Sequence, residues 1–516
     1  MHLTARVFPL AILLALSCAK KEAARPPLLE DVASNFDPSR KPFYHGVASG
    51  DPLTDRVILW TRVTPETQMA KIDVTWEVAE DEAFASLYKS DTTSTNPARD
   101  YTVKIDVDGL KPGKTYFYRF KALDATSPIG RTKTTPVGAV DSLKLAIVSC
   151  SNWEWGFFNA YDKIADRTDV DAVVHLGDYI YEYGQGKYGD TTIRKNLPPH
   201  EIVTLQDYRT RHSLYRLDNG LRRLSQQHPF IAIWDDHEVA NNVYTTGAQN
   251  HQPDQEGDFA QRKEAAVKAY YEWLPIRESA KHYRAFSYGS LADVFMLDER
   301  LEGRTKPADS MDDPLFLSEE QTMLGAEQLA WFENGLKNST AQWKVIGNQV
   351  IFSDVELSPV YPKMPRNLDS WDGYPKEKAK LIETIRAENI QDIIFVTGDT
   401  HASWAIEAAT DVKKTYDAKT SKGAFAIELG TTSVSSANDN EYHSTDTVLM
   451  MEKAMLRANP HVKYLNARDH GYLLLTLYPQ TAKGEWYYME TLRQPETREM
   501  LGNRVRVSKG QAKLMP

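Results

Sequence analysis

Cysteine is nearly absent: Cys18 and Cys150 are the two in 516 residues. That excludes a disulfide framework as the basis of the fold and leaves Cys150 an unpaired thiol, which in an oxidising compartment needs burial or a metal. Long apolar runs are also missing at the start of the chain. The stretch Val7 to Leu16 falls well short of the roughly 20 residues that cross a bilayer. Positive charge is not in surplus either, since 61 Lys and Arg meet 71 Asp and Glu for a formal net charge of -10. A broad basic field for phosphate backbones is thereby excluded, and no nucleic-acid partner is expected. No internal repeat is found, so a solenoid or propeller is not indicated.

What is present begins with that short apolar run. "MHLTARVFPLAILLALSC" sets His2 and Arg6 before it and small Ser17 before Cys18, the layout of an export signal over residues 1–18. Cys18 and the following "AKKEAARPP" resemble the lipobox and charged tether of bacterial lipoproteins, which gives a tether over 19–42. The resemblance implies export, a lipid on Cys18, an outer-envelope membrane as partner, and a body anchored to the bacterial cell envelope, periplasmic or surface-facing. Ala15 stands where lipoproteins usually carry Leu, with Leu14 and Leu16 beside it. Plain signal-peptidase cleavage therefore stays as the alternative.

With 41% hydrophobic and 26% charged residues, the rest reads as globular and too long for one core, so two domains are expected. Residues 43–139 alternate in short runs such as "RVILWTRV", "KIDVTWEVAE" and "KTYFYRFKAL", broken by turn-rich "SGDPLTD" and "LKPGK". This is the pattern of an immunoglobulin- or fibronectin-like β-sandwich. From 140 to 493 apolar runs alternate with amphipathic helical stretches: "LKLAIVSC", "DAVVHLGD", "HPFIAIWDD", "DVFMLDER", "WKVIGNQVIFS", "DIIFVTGDTH", "AFAIELGTTS" and "YLLLTLYP". An α/β domain follows. Helices are expected near 157–167, 203–227, 259–273, 319–337 and 375–388. The basic, glycine-containing segment 494–516 reads as a loosely ordered tail.

Four of those runs end in groups able to hold metals: Cys150, then Asp178 with Tyr181, then Asp236 with His237, then Asp399 with His401. Open α/β sheets gather their sites at the carboxyl ends of strands, so these groups are expected to share one crevice. Each has a plainer reading alone. A strand-end cysteine is often a small buried hydrophobe, an Asp after Gly is often a cap or turn, and "WDDHEVANN" could merely begin a helix. Four such endings together favour a site. A phenol is a weak ligand unless a strong Lewis acid displaces its proton, so Tyr181 points to a hard, highly charged ion, while Asp236, Asn241 and Asp399 are oxygen donors suited to calcium, magnesium or manganese. Two such cations would clamp a phosphate and activate water.

The motifs "GVASGDPLTDRVILWTRV", "SCSNWEWGFFNAYDKIADRTDVDAVVHLGDYIYEYG", "WDDHEVANN", "TGDTHASW" and "ELGTTSVSS" together resemble the PhoD family of alkaline phosphatases, within the calcineurin-like metallophosphoesterases. The resemblance spans roughly residues 43 to 435 and implies a β-sandwich ahead of an α/β metallophosphoesterase sandwich. It implies ferric iron on Cys150, Asp178, Tyr181 and His401. It also implies calcium, with magnesium, manganese or zinc as alternatives, bridged by Asp178 and held by Asp399 together with Asp236, Asn241 or Asn242. His237 would contact phosphate and protonate the leaving group, with Asp236 beside it as a catalytic residue; the alternative for His237 is a role in orienting a ligand. Thr400 replaces a small apolar residue of many relatives. "LDERLEGRT" resembles an Asp-x-Arg segment, but solvated surface ion pairs are the expected use of Arg300 and Arg304. The implied activity is hydrolysis of phosphomonoesters or phosphodiesters by metal-activated hydroxide, in a protein expected to be monomeric. The alternatives are a phospholipase-D-like phosphodiesterase and a catalytically inactive surface-anchored binding protein.

Overall fold

The structure, a computed structural model, describes residues 32–495 and 498–516. The export signal, Cys18 and the first part of the tether lie outside the described residues. Two sheets packed face to face form the centre of the molecule. One has nine strands in the order Glu499–Ser508, Thr481–Met489, Gly471–Leu477, Leu143–Val148, Ala172–His175, Pro229–Ala232, Val47–Gly50, Val57–Arg62 and Thr102–Val107. The other has seven, in the order Arg284–Tyr288, Ala292–Met296, Trp343–Asn348, Ile393–Thr397, Ala424–Gly430, Ser403–Ala409 and Val462–Asn466.

The apolar runs read from sequence become parallel strands at the middle of each sheet: Leu143–Val148, Ala172–His175 and Pro229–Ala232 in one, and Ala292–Met296 through Ala424–Gly430 in the other. They are apolar on both faces because both faces are covered. Leu145, Ile147 and Val174 from one sheet meet Val294, Val345 and Val396 from the other. On the outer faces, Asn159–Ala165, Leu205–Tyr215, Asn219–Gln227 and Phe259–Trp273 cover the larger sheet, and Gly325–Asn338 with Pro375–Ala387 cover the smaller. The result is helix, sheet, sheet, helix. Helix starts follow local chemistry: Thr204 and Asp207 form a capping box on Leu205–Tyr215, and Asp258 caps Phe259–Trp273.

The N-terminal strands do not form a separate body. Ile72–Ala79, Leu87–Thr95, Thr115–Ala122 and their short neighbours make a five-stranded sheet that packs through Val74, Trp76, Tyr118 and Phe120 on Val47, Val57 and Leu59. Yet Val47–Gly50 pairs in parallel with Pro229–Ala232, so one layer of the N-terminal unit is continuous with the large sheet. Buried contacts lock the junction: Trp60 Nε1 donates to the Glu272 carbonyl at 2.8 Å, and Arg284 Nη2 donates to Asp51 Oδ1 at 2.9 Å. A chain division at residue 140 is thus no division of sheets. The expected loose tail is also corrected, because Glu499–Ser508 is a ten-residue edge strand. In "NRVRVS" the arginines alternate with Val505 and Val507, which are buried against the core. Basic composition masked a period of two.

Candidate metal centre

The carboxyl ends of the central strands meet at one rim, and there the backbone turns unusually. Cys150, Asp178, Asp399 and His401 have φ of 59°, 55°, 60° and 56°. Four non-glycine residues in the left-handed region, each within four residues of a strand end, mark positions held by their surroundings rather than by preference. Each turn re-aims a side chain from the strand direction into the space between the sheets. Glycine permits the closest approach: a Cβ on Gly177 would lie 2.1 Å from the Asp235 amide nitrogen, and one on Gly398 would lie 2.5 Å from Ser149 Oγ.

The expected donors converge. Ligand atoms of Cys150, Asp178 and His401 lie within 4.8 Å of one another, as do those of Asp178, Asp236 and His237, and those of Asp235, Asp236 and Asp399. Asp178 therefore belongs to two neighbouring sets and Asp236 to another pair. Tyr181 sits inside the first set, donating to Asp178 Oδ2 at 2.8 Å with its oxygen 3.2 Å from His401 Nε2. His401 Nδ1 donates to the Ala437 carbonyl at 2.6 Å. That fixes the tautomer and leaves the Nε2 lone pair for a ligand bond. Asn241 and Asn242 lie in the adjoining turn, both side-chain nitrogens donating to Gln249 Oε1, and the Asn242 amide donates to Asp236 Oδ2 at 2.6 Å.

Electrostatics bear on whether these residues suit cations. Burial pushes the Cys150 thiol and the Tyr181 phenol well above their ordinary values, and the negative charge of Asp178 adds to both. Burial likewise pushes Asp235 to about 8 and Asp399 to about 7, against the pull of Arg300. Asp178 is also driven up by burial, with Asp235 and Asp236 adding to it and His237 opposing. Asp236 falls to about 2, because Arg300 and His237 outweigh its burial. Four acids, a thiol and a phenol crowded beside one guanidinium are under-compensated, and bound cations would supply the missing positive charge. The donor set, with sulfur and phenol on one side and carboxylates on the other, fits the pair of ions expected.

Several residues that sequence reasoning did not single out hold this set in place. Glu238 accepts from the amides of Asp178 at 3.0 Å, Tyr179 at 2.5 Å and Asp235 at 2.8 Å, stapling two ligand-bearing turns together. Glu182 accepts from His237 Nδ1 at 2.6 Å and is itself held by the Asn241 amide at 2.8 Å and Asn250 Nδ2 at 2.9 Å. Burial opposes the charge on His237, but Glu182, Asp236 and Asp178 outweigh it and hold the imidazolium well above its usual range. Ser436 donates to the Tyr181 oxygen at 2.6 Å. The signal for Glu182 and Glu238 was their place beside ligands, in "YIYEYG" and "DDHEV".

The surface role expected of Arg300 and Arg304 is corrected, since both are fully buried. Arg300 donates through Nε to Asp235, through Nη1 to Asp369 at 2.5 Å and through Nη2 to Asp399 at 3.1 Å. Its fork is committed to carboxylates. Arg304 donates to the Asp369 carbonyl and side chain. The strand end after Met296 carries both inward, with Asp298 Oδ1 accepting the Arg300 and Leu301 amides.

A crevice rich in buried acids at the meeting edges of two sheets has the make-up of a site that holds cations. The comparisons with known proteins identify the family. The model for "PhoD-like phosphatase" matches residues 145–486, and that for "PhoD-like phosphatase, N-terminal domain" matches 30–136. Alkaline phosphatase D of Bacillus subtilis (strain 168) is 38% identical over 496 residues, covering 90% of this chain and 80% of that protein. The solved "Structure of PhoD" aligns with a TM-score of 0.82 at 35% identity, covering 93% of this chain and 92% of that one. The chain belongs to the PhoD-like phosphatase family. It is a phosphatase, acting on phosphoesters.

Proposed function

We propose that this phosphatase is exported and metal-dependent, with ferric iron held by Cys150, Asp178, Tyr181 and His401 and calcium held by Asp178, Asp399 and a donor from Asp236, Asn241 or Asn242. The observation that carries the reading is the position of Tyr181, whose phenol reaches Asp178 and His401 at once. When bound, two such cations neutralise phosphate charge and make water a nucleophile near neutral pH.

The chain's own groups supply the remainder. Glu182 accepts a hydrogen bond from Nδ1–H of His237 and fixes the ring, leaving Nε2 to hold a proton for the departing alkoxide oxygen. Asp235, Asp369 and Asp399 are kept in position by Arg300, so the acids cannot spread apart under mutual repulsion. Trp155, Tyr188 and Tyr442 stack edge to face at 6.0 and 6.2 Å beside this rim.

The four layers support a metallophosphoesterase sandwich, and the two-layer packing of residues 43–139 supports its immunoglobulin-like description. The "LLALSC" flank supports a lipid-anchored body in the cell envelope. A complete donor set speaks against an inactive binding protein, and the apolar space described below favours phosphodiesters or monoesters with apolar alcohols.

Turnover of p-nitrophenyl phosphate and of its bis ester, before and after chelation, tests the reading. Loss of hydrolysis with chelator and recovery on adding iron and calcium are expected. Hydrolysis indifferent to chelation would remove the metal-dependent part of the proposal.

A further inference from the structure

The metal-ligand turn "GDTH" has two sides. One faces the acids; the other forms a wall of a separate space. A cavity of about 310 Å³ is lined by Asp399, Thr400 and His401 at one end, and Val355, Leu357, Val360, Met455 and Leu465 make much of the remainder. It lies between the loop 353–370 and the helix Thr445–Ala458, and Trp404 forms part of the wall. Thr400 accepts from Trp404 Nε1 at 2.9 Å, so the hydroxyl that departs from the family pattern fixes that indole in place.

Two of the three carboxylates in this wall besides Asp399 are matched by cations. Glu452 pairs with Arg468 at 2.9 Å and Asp372 with Lys378 at 2.9 Å, while Asp439 accepts from Tyr361 at 3.0 Å. Glu452 and Asp372 are thereby neutralised, and Asp439 at the rim is held by Tyr361 alone. Apolar side chains also mark the rim: Tyr361, Met364 and Tyr442 are exposed beside the opening. An isolated apolar pocket of this size would name no occupant. This one shares Asp399 and His401 with the candidate metal centre, which puts its occupant next to the ester being hydrolysed.

We infer that this cavity receives the apolar alcohol portion of the ester, which makes the preferred substrates phosphoesters carrying an alkyl chain of about six carbons or more. The inference rests on the phosphatase reading and names the substrate class at that same site. Burial of each methylene contributes to binding of the chain, so discrimination grows with length until the cavity is filled.

The test uses the whole protein with its metals. Ethyl, butyl, hexyl and octyl esters, whose leaving alcohols have nearly equal pKa, are supplied as alkyl phosphates, with phosphate release measured, and as alkyl p-nitrophenyl diesters, with nitrophenolate measured. In whichever series turns over, kcat/KM should rise roughly tenfold or more from ethyl to hexyl. The octyl-to-ethyl ratio should fall at least fivefold in Val360→Asp and in Met451→Asp, two half-buried positions on opposite sides of the cavity. A flat or falling dependence on chain length in the native protein overturns this inference while the phosphatase reading stands. Failure of every ester, p-nitrophenyl phosphate included, overturns both.

Discussion

Tyr181 is the residue on which the candidate centre turns. A buried phenol that accepts from Ser436 and donates to Asp178 is fully satisfied without metal, so ion binding must displace its proton and rearrange those bonds. Tyr181→Phe keeps the ring that packs at 4.3 Å from His237. The fold should survive at a loss of about 1–3 kcal/mol from the unpaired Asp178 oxygen and Ser436 hydroxyl. Iron per chain, by elemental analysis, should drop severalfold, and any visible charge-transfer band should vanish. Undiminished iron would show that the phenol is no ligand. At this scale the sequence was informative because each donor ends an apolar run, which made Cys150, Asp178, Asp236, Asp399 and His401 stand out. Arg300 and Glu182 were less legible: nothing local distinguishes a buried arginine from a solvated one until the acids from other strands surround it.

Among elements, the parallel strands were readable because burial on both faces demands unbroken apolar runs, and Phe259–Trp273 matches the expected helix 259–273. The outer strands Val462–Asn466 and Glu499–Ser508, and Ser403–Ala409 next to the first of them, were harder. Ser403–Ala409 and Val462–Asn466 follow ligand loops or polar turns, and Glu499–Ser508 carries two arginines within its last five residues. Charged side chains on an outer strand are a known protection against edge-to-edge pairing, which is also why composition disguises it. Deleting residues 498–516 should unmask the paired edge of Thr481–Met489 and remove the buried side chains of Val505 and Val507. A loss of at least about 3 kcal/mol in denaturant unfolding is expected, together with concentration-dependent aggregation on light scattering. A truncated chain that melts like the whole one would show that the strand adds nothing to the sheet.

For the molecule as a whole, buried histidines and buried carboxyls pull the response to acid in opposite directions. Burial pushes His212 to about 3, and His228 and His461 to about 4. Neighbouring arginines add to the fall at His212, and Arg131 does so at His228. Each is held below its unfolded value of about 6.5, so the unfolded chain binds more protons between the two values. The stability these histidines contribute is therefore present above about pH 6.5 and is lost as pH falls toward 4. The three together should contribute a loss of about 4 kcal/mol by pH 5.5, set against the opposite contribution of Asp235 and Asp399, whose raised values favour the folded state as pH falls from 8. The histidine share is read as a weaker loss of urea midpoint between pH 8 and 5.5 in His228→Asn than in the native chain, and an unchanged pH dependence would contradict it. The pairing of Val47–Gly50 with Pro229–Ala232 has a different bearing. Neither half of this polypeptide is a portable cassette. Excised at residue 140, the catalytic portion would present a bare row of amides and carbonyls along its Pro229–Ala232 border, while the leading portion would lose the neighbour that anchors its first strand.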